Sequence, residues 1–119
     1  MKLFTEVDYI NHFAFALLVE EKGLYRPIGS TRFIIDDHQK MKAEVAVTVI
    51  DKYQRKGMGM LLFGYLVKAA KEKGVQYFYA TANVDNIGIF KLLSHFGSLK
   101  KSNASNGFVE ICLELSNEV

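Results

Sequence analysis

The 119-residue chain has the length of one domain, and half of its residues are hydrophobic, which supplies enough apolar material for a core and excludes an intrinsically disordered chain. A net charge of +2 with 24% charged residues excludes the basic excess of a general nucleic-acid binder and leaves room for one local anion site. Cys112 is the single cysteine, the apolar run from Phe13 to Val19 falls short of the about 20 residues that span a bilayer, and Met1–Glu6 lacks a signal-peptide core, so a reduced, soluble, cytoplasmic protein is expected.

Met1 to His12 is mixed in character and reads as a lead-in, with Asp8 a candidate cap. His12–Glu20 is apolar and aromatic and reads as a buried strand. Glu21-Lys22-Gly23-Leu24 is a turn, with Gly23 available for a positive φ. Ile28–Ile35 reads as a second strand and Asp36–Lys40 as a polar loop. In Ala43–Ile50 the valines 45, 47 and 49 alternate with Glu44, Ala46 and Thr48, the period of a third strand. The period then changes. From Gly57 to Lys73 the residues Leu61, Leu62, Tyr65, Leu66 and Ala69 recur at helical spacing, and Gly74 after Lys71-Glu72-Lys73 is a stop signal. Val75–Ala82 is a strand rich in aromatics. Asn86–His95 is a second helix with Ile89, Phe90, Leu92 and Leu93 as its apolar face, ended by Gly97. Phe108–Leu115 alternates cleanly and takes Ser98–Lys101 as its hairpin partner across the Ser102–Gly107 turn.

The order is β-β-β-α-β-α-β-β. A strand–helix–strand unit in the middle implies one parallel pairing with a right-handed crossover, so the fold class is α/β (α+β) with a mixed central sheet and a single domain over residues 1–119.

The stretch that carries chemistry is the junction of the third strand and the first helix, Gln54-Arg55-Lys56-Gly57-Met58-Gly59. Glycines at a helix start leave backbone N–H groups unshielded, and those groups with the positive end of the helix dipole make an anion site. Arg55 and Lys56 add positive charge. A Walker loop is absent, and Leu62 stands where a dinucleotide fingerprint needs its third glycine. Taken alone, Gly-x-Gly is equally compatible with close helix packing.

The pattern Gln-x-x-Gly-x-Gly after a strand and opening a long helix resembles the acyl-CoA-binding motif of the GNAT superfamily of N-acetyltransferases. Asn86-Ile87-Gly88-Ile89-Phe90-Lys91-Leu92-Leu93, ending in Phe96-Gly97, resembles that superfamily's next motif. Ala43–Val49 and the Val7–His12 stretch are similar to the catalytic domain of bacterial protein lysine acetyltransferases of the Pat type. The resemblance runs from about Val7 to Gly97 and is most specific in its middle.

It implies acetyl-CoA as co-substrate and a primary amine, a protein lysine among the candidates, as acceptor. It implies that the backbone of Val47 and Val49 pairs with the pantetheine arm. The diphosphate would rest on the segment Gln54, Arg55, Lys56, Gly57, Met58, Gly59 and Met60, and Asn86 would contact the cofactor arm or fix the helix start. Glu44 is implied as the general base, taking a proton from the attacking amine with its pKa raised by partial burial. A backbone N–H near Val49 would polarise the thioester carbonyl. Two departures stand out. Leu93 occupies the position of the superfamily's tyrosine acid, so no acid is assigned, and Ser98 stands where phenylalanine is usual. The superfamily's first strand and helices are expected to be missing, which leaves an acceptor side that is open or completed by a partner chain, a homodimer being one form.

His12, His38 and His95 lack metal-ligand spacing, so no metal is expected, and Cys112 reads as a spectator. Lys100 and Lys101 read as a solvated turn. The competing classes are a non-catalytic CoA-binding or interaction module and, on Lys52, Arg55 and Lys56 alone, a nucleic-acid binder. Neither a nucleic acid nor a membrane is an expected partner.

Overall fold

A computed structural model of the chain describes residues 2–9, 12–49, 57–102 and 105–116. Its elements are β1 (Lys2–Tyr9), β2 (His12–Glu21), β3 (Leu24–Ile35), β4 (Lys42–Val49), α1 (Met58–Glu72), β5 (Tyr77–Asn83), α2 (Ile87–Ser94), β6 (Gly97–Lys101) and β7 (Phe108–Leu115). They form one seven-stranded sheet in the order β1-β2-β3-β4-β5-β7-β6. Every neighbouring pair is antiparallel except β4 and β5, which α1 joins as the parallel crossover expected from the sequence.

The lead-in is a correction. Lys2–Tyr9 is a strand that pairs antiparallel with β2 from Lys2↔Leu18 to Tyr9↔His12. Phe4 breaks the alternation of Leu3, Thr5, Val7 and Tyr9, and an edge strand is held by the backbone bonds of its one neighbour, so periodicity alone does not reveal it. No helix precedes α1 among the described residues.

Local chemistry sets the corners. Lys22 and Gly23 take φ of 52° and 80° between the paired Glu21 and Leu24, and Asn106 and Gly107 take 53° and 82°. Two successive positive φ values make the tight hairpin turn whose twist matches the strands. Pro27 pairs with Leu18 and Gly29 with Leu17, so Ile28 is the extra residue of a bulge, where a missing N–H is tolerated. α1 ends on Gly74 at φ 86°, with Val75 N–H bonded to Ala70 O and Gly74 N–H to Lys71 O, each at 3.0 Å. This paired arrangement satisfies the helix's last carbonyls and seats buried Val75 under Ala70.

Both helices lie on one face of the sheet. Alternate residues Ala43 and Val45, Phe78 and Ala82, and Val109, Ile111, Leu113 and Leu115 point to that side and join one core cluster with α1 and Leu93 of α2. A row of rings runs through it. Phe13 stacks on Phe33 at 5.4 Å, Phe33 meets Phe78 at 6.0 Å, and Phe63 stands edge-on to Phe78 at 5.7 Å and to Phe96 at 5.1 Å.

The buried stripe of α1 is Leu62, Phe63, Leu66, Val67 and Ala70. It differs from the stripe expected, because Leu61 and Tyr65 are exposed. Two overlapping stripes share Leu62 and Leu66, and the helix turns the one with Phe63 inward because that ring fills the gap between Phe78 and Phe96. Phe96 also supplies bulk on the side where Ser98 had suggested a loss, since Ser98 itself is exposed on β6. Lys100 and Lys101, read from sequence as a solvated turn, are exposed but belong to β6, and the Lys101 ammonium sits 4.0 Å from the centre of the Phe90 ring.

Candidate functional site

The parallel pairing of β4 with β5 covers only Lys42↔Tyr77, Ala43↔Phe78 and Glu44↔Tyr79. β3 continues along β4 as far as Gly29↔Val49, and β7 continues along β5 as far as Asn83↔Phe108. The two strands therefore part after Glu44 while each keeps its outer neighbour. From Val45 to Val49 the inner edge of β4 has no strand beside it among the described residues. Backbone groups alternate from edge to edge along a strand, so part of the N–H and C=O groups of this stretch point into the gap. Val47 and Val49, expected to meet a pantetheine arm, lie on this stretch.

The gap opens toward the end of β4 from which the chain proceeds to α1. Of the anion loop expected there, Gln54, Arg55 and Lys56 lie outside the described residues. Gly57, Met58, Gly59 and Met60 form the helix start. Gly57 is the N-cap with φ 81° and ψ 2°, and no side chain among the described residues caps the helix. The first turn carries no acidic residue, and the first helical hydrogen bond is Leu61 N–H to Gly57 O at 3.0 Å. The N–H groups of Met58, Gly59 and Met60 precede that bond and have no intrahelical acceptor, which is the arrangement an anion occupies.

Glu44 stands at the last paired position before the strands part. It lies on the face opposite Ala43 and Val45, as expected from alternation. It is exposed, so the partial burial expected for it is not present in the chain by itself. It lines a cavity of about 590 Å³ with Ile34, Lys42, Tyr79, Thr81 and Glu110.

None of these neighbours is a site residue in the sequence reading, where Tyr79 counts among the core aromatics. Lys42 shares Glu44's strand face two residues earlier, a signal legible in sequence. Tyr79 and Glu110 become neighbours only through the β4–β5 and β5–β7 registers, which no local pattern encodes. The Lys42 ammonium sits 5.1 Å from the centre of the Tyr79 ring. Its pKa is raised above the ordinary value, first by a hydrogen bond to the Tyr79 phenol and against the cost of desolvation. The Asp36 carboxylate accepts from the His38 N–H at 2.8 Å, and that bond, as the largest cause, holds its pKa below the ordinary value.

Asn86 caps α2, its side-chain oxygen accepting from Ile89 N–H at 3.1 Å. Of its two expected roles, this is the helix-start role. Leu93, standing where a tyrosine acid would be, is 2% exposed and belongs to the core. Cys112 is half-buried beside Tyr79 in register. No group of three His, Cys, Asp or Glu side chains able to hold a metal occurs among the described residues, and none of their helices is long and apolar enough to cross a membrane.

The model of the Acetyltransferase (GNAT) family matches residues 3–97. Acetyltransferase Pat of Mycolicibacterium smegmatis is 38% identical over 94 residues, covering 79% of this chain and 28% of that protein. The solved cAMP-binding acyltransferase from Mycobacterium smegmatis superposes with a TM-score of 0.72 at 33% identity, covering 93% of this chain and 33% of that one. A Salmonella typhimurium protein solved with its cofactor acetyl-CoA superposes with a TM-score of 0.64 at 20% identity, covering 91% and 67%, a likeness of fold. The chain thus spans about a third of the length of its mycobacterial relatives.

Proposed function

The chain belongs to the Acetyltransferase (GNAT) family, and on that premise we propose that it transfers an acetyl group from acetyl-CoA to a primary amine, a protein lysine among the candidates. The observation that carries this reading is the coincidence of three features among the described residues: a helix start at Gly57–Met60 with no side-chain cap, a β4 edge without a neighbouring strand, and a carboxylate at the point where β4 and β5 meet. They match, in order, a diphosphate, an extended amide-bearing arm and a reacting end.

The N–H groups of Met58, Gly59 and Met60 hold the diphosphate, with Gln54, Arg55 and Lys56 contributing from the preceding loop. The inner edge of β4 at Val47 and Val49 hydrogen-bonds the arm as a neighbouring strand would. Acetyl-CoA supplies a thioester carbonyl activated toward amines. A backbone N–H near Val49 polarises that carbonyl. Glu44 accepts the proton that the acceptor ammonium must lose before its nitrogen lone pair can attack. As the new C–N bond forms and the C–S bond breaks, CoA leaves as a thiolate, and the acylated nitrogen gives up its second proton to that thiolate. A thiol of pKa about 8.5 leaves without a protein acid, consistent with the burial of Leu93. Asn86 fixes the start of α2 beside the arm.

Removing the carboxylate tests the scheme. In Glu44→Gln, amine-dependent CoA release falls by about two to four orders of magnitude while acetyl-CoA affinity stays within about twofold. Release at the wild-type rate would remove Glu44 from the mechanism. Acetyl-CoA binding with no CoA release from any amine would make the chain a CoA-binding module instead.

A further inference from the structure

The cavity at the parting of β4 and β5 is charged against the sign of the molecule. The chain is +2 overall, yet Asp36, Asp37, Glu44 and Glu110 all line this one space. Lys42 is the cation among the described lining residues, and its ammonium is turned onto Tyr79. Its charge is thereby held at the wall rather than beside Glu44. Glu44 and Glu110 form no ion pair with any described residue. The carboxylates do not define the site, which is set by the strand divergence and the cavity. They define its selectivity.

We propose that this cavity selects acceptors that carry a second positive charge within a few bonds of the reacting amine: a diamine, or a lysine beside another basic residue. The inference rests on the acetyltransferase reading above. One ammonium needs one carboxylate, Glu44, to take its proton. The Glu110 carboxylate is surplus to that task and lines the same cavity, where the rest of the acceptor would lie. Once the reacting nitrogen is neutral, attraction at Glu44 vanishes, and a second, permanent charge keeps the acceptor in place. A space of about 590 Å³ takes an aliphatic chain with both its ends. Ile34 offers apolar wall to its methylenes, and Thr81 a hydroxyl.

The test compares acceptors matched in size. CoA release is followed with cadaverine against pentylamine, and with two lysyl peptides that differ only in a Lys or Glu next to the acceptor lysine. The expected result is a preference of about tenfold in kcat/KM for the doubly charged member at low ionic strength, shrinking as salt is added. In Glu110→Gln the preference falls several-fold, and circular dichroism confirms that the sheet is retained. A preference among the free amines alone assigns a small diamine, and one among the peptides alone assigns a polypeptide acceptor. Equal kcat/KM within both pairs overturns the inference and leaves the transferase reading standing, as does a preference untouched by Glu110→Gln. Absence of CoA release from every amine overturns both.

Discussion

At the scale of single residues, Gly57 and Gly97 are glycines for different reasons. Gly57 sits at φ 81° with open space where a Cβ would stand, so its backbone and not its surroundings demands glycine. Gly57→Ala is expected to cost about 1–2 kcal/mol in denaturant unfolding and Gly57→Asn less, because asparagine tolerates the left-handed region. Gly97 has the reverse constraint. A Cβ there would overlap the Glu114 carbonyl oxygen and carbon and the Leu115 Cα, all of them backbone. Gly97→Ala therefore has to push β6 from β7, and its unfolding free energy should fall by more than that of Gly57→Ala. Both glycines are legible in the sequence, Gly57 in the anion-binding helix start and Gly97 as a helix stop, and Glu44 stands out through the resemblance to Pat-type acetyltransferases. Tyr79 as a neighbour of Glu44 is not legible there, because the two are brought side by side by strands far apart in the chain. Lys42 adds a pH signature. A lysine with a raised pKa contributes its full share of stability below the ordinary value of 10.5 and loses it as pH climbs through the raised one. The stability gap between wild type and Lys42→Met should hold steady from neutral pH to that value and close above it, which pH-dependent urea titrations would read.

At the scale of elements, hydrophobic periodicity located α1, α2 and the strands from β2 onward to within a few residues, because each has one face in the core and one in solvent. It failed where that contrast fails. β1 is an edge strand whose alternation is interrupted at Phe4. α1 carries two overlapping apolar stripes, and only the presence of Phe78 and Phe96 decides between them. The start of α1 shows the same division. Its glycines and the absence of acidic residues are in the sequence, whereas the left-handed backbone of Gly57 at the helix start is a property of the folded chain.

At the scale of the whole molecule, the family was legible from two motifs and their spacing, and the acceptor was not, since the cavity draws its lining from four strands and a loop. Acetyl-CoA bound along the inner edge of β4 should slow amide hydrogen exchange selectively between Val45 and Val49, with outer-edge amides of the same strand unaffected because β3 already protects them. Exchange that slows only around Gly57–Met60 would confine the ligand to the helix start. By mass action, saturation at a hundredfold over Kd should also stabilise the fold by about 2.7 kcal/mol.

The sheet is crossed by a seam only three residue pairs long, and what bridges it is the file of phenylalanines beneath, with Phe78 on one side gripped by Phe33 and Phe63 from the other. Cohesion between the halves is thereby shifted from the rungs of the ladder to its underside. The fold can leave a slot open along its midline without coming apart, and a guest chain that zips into the slot completes a lattice already braced to receive it.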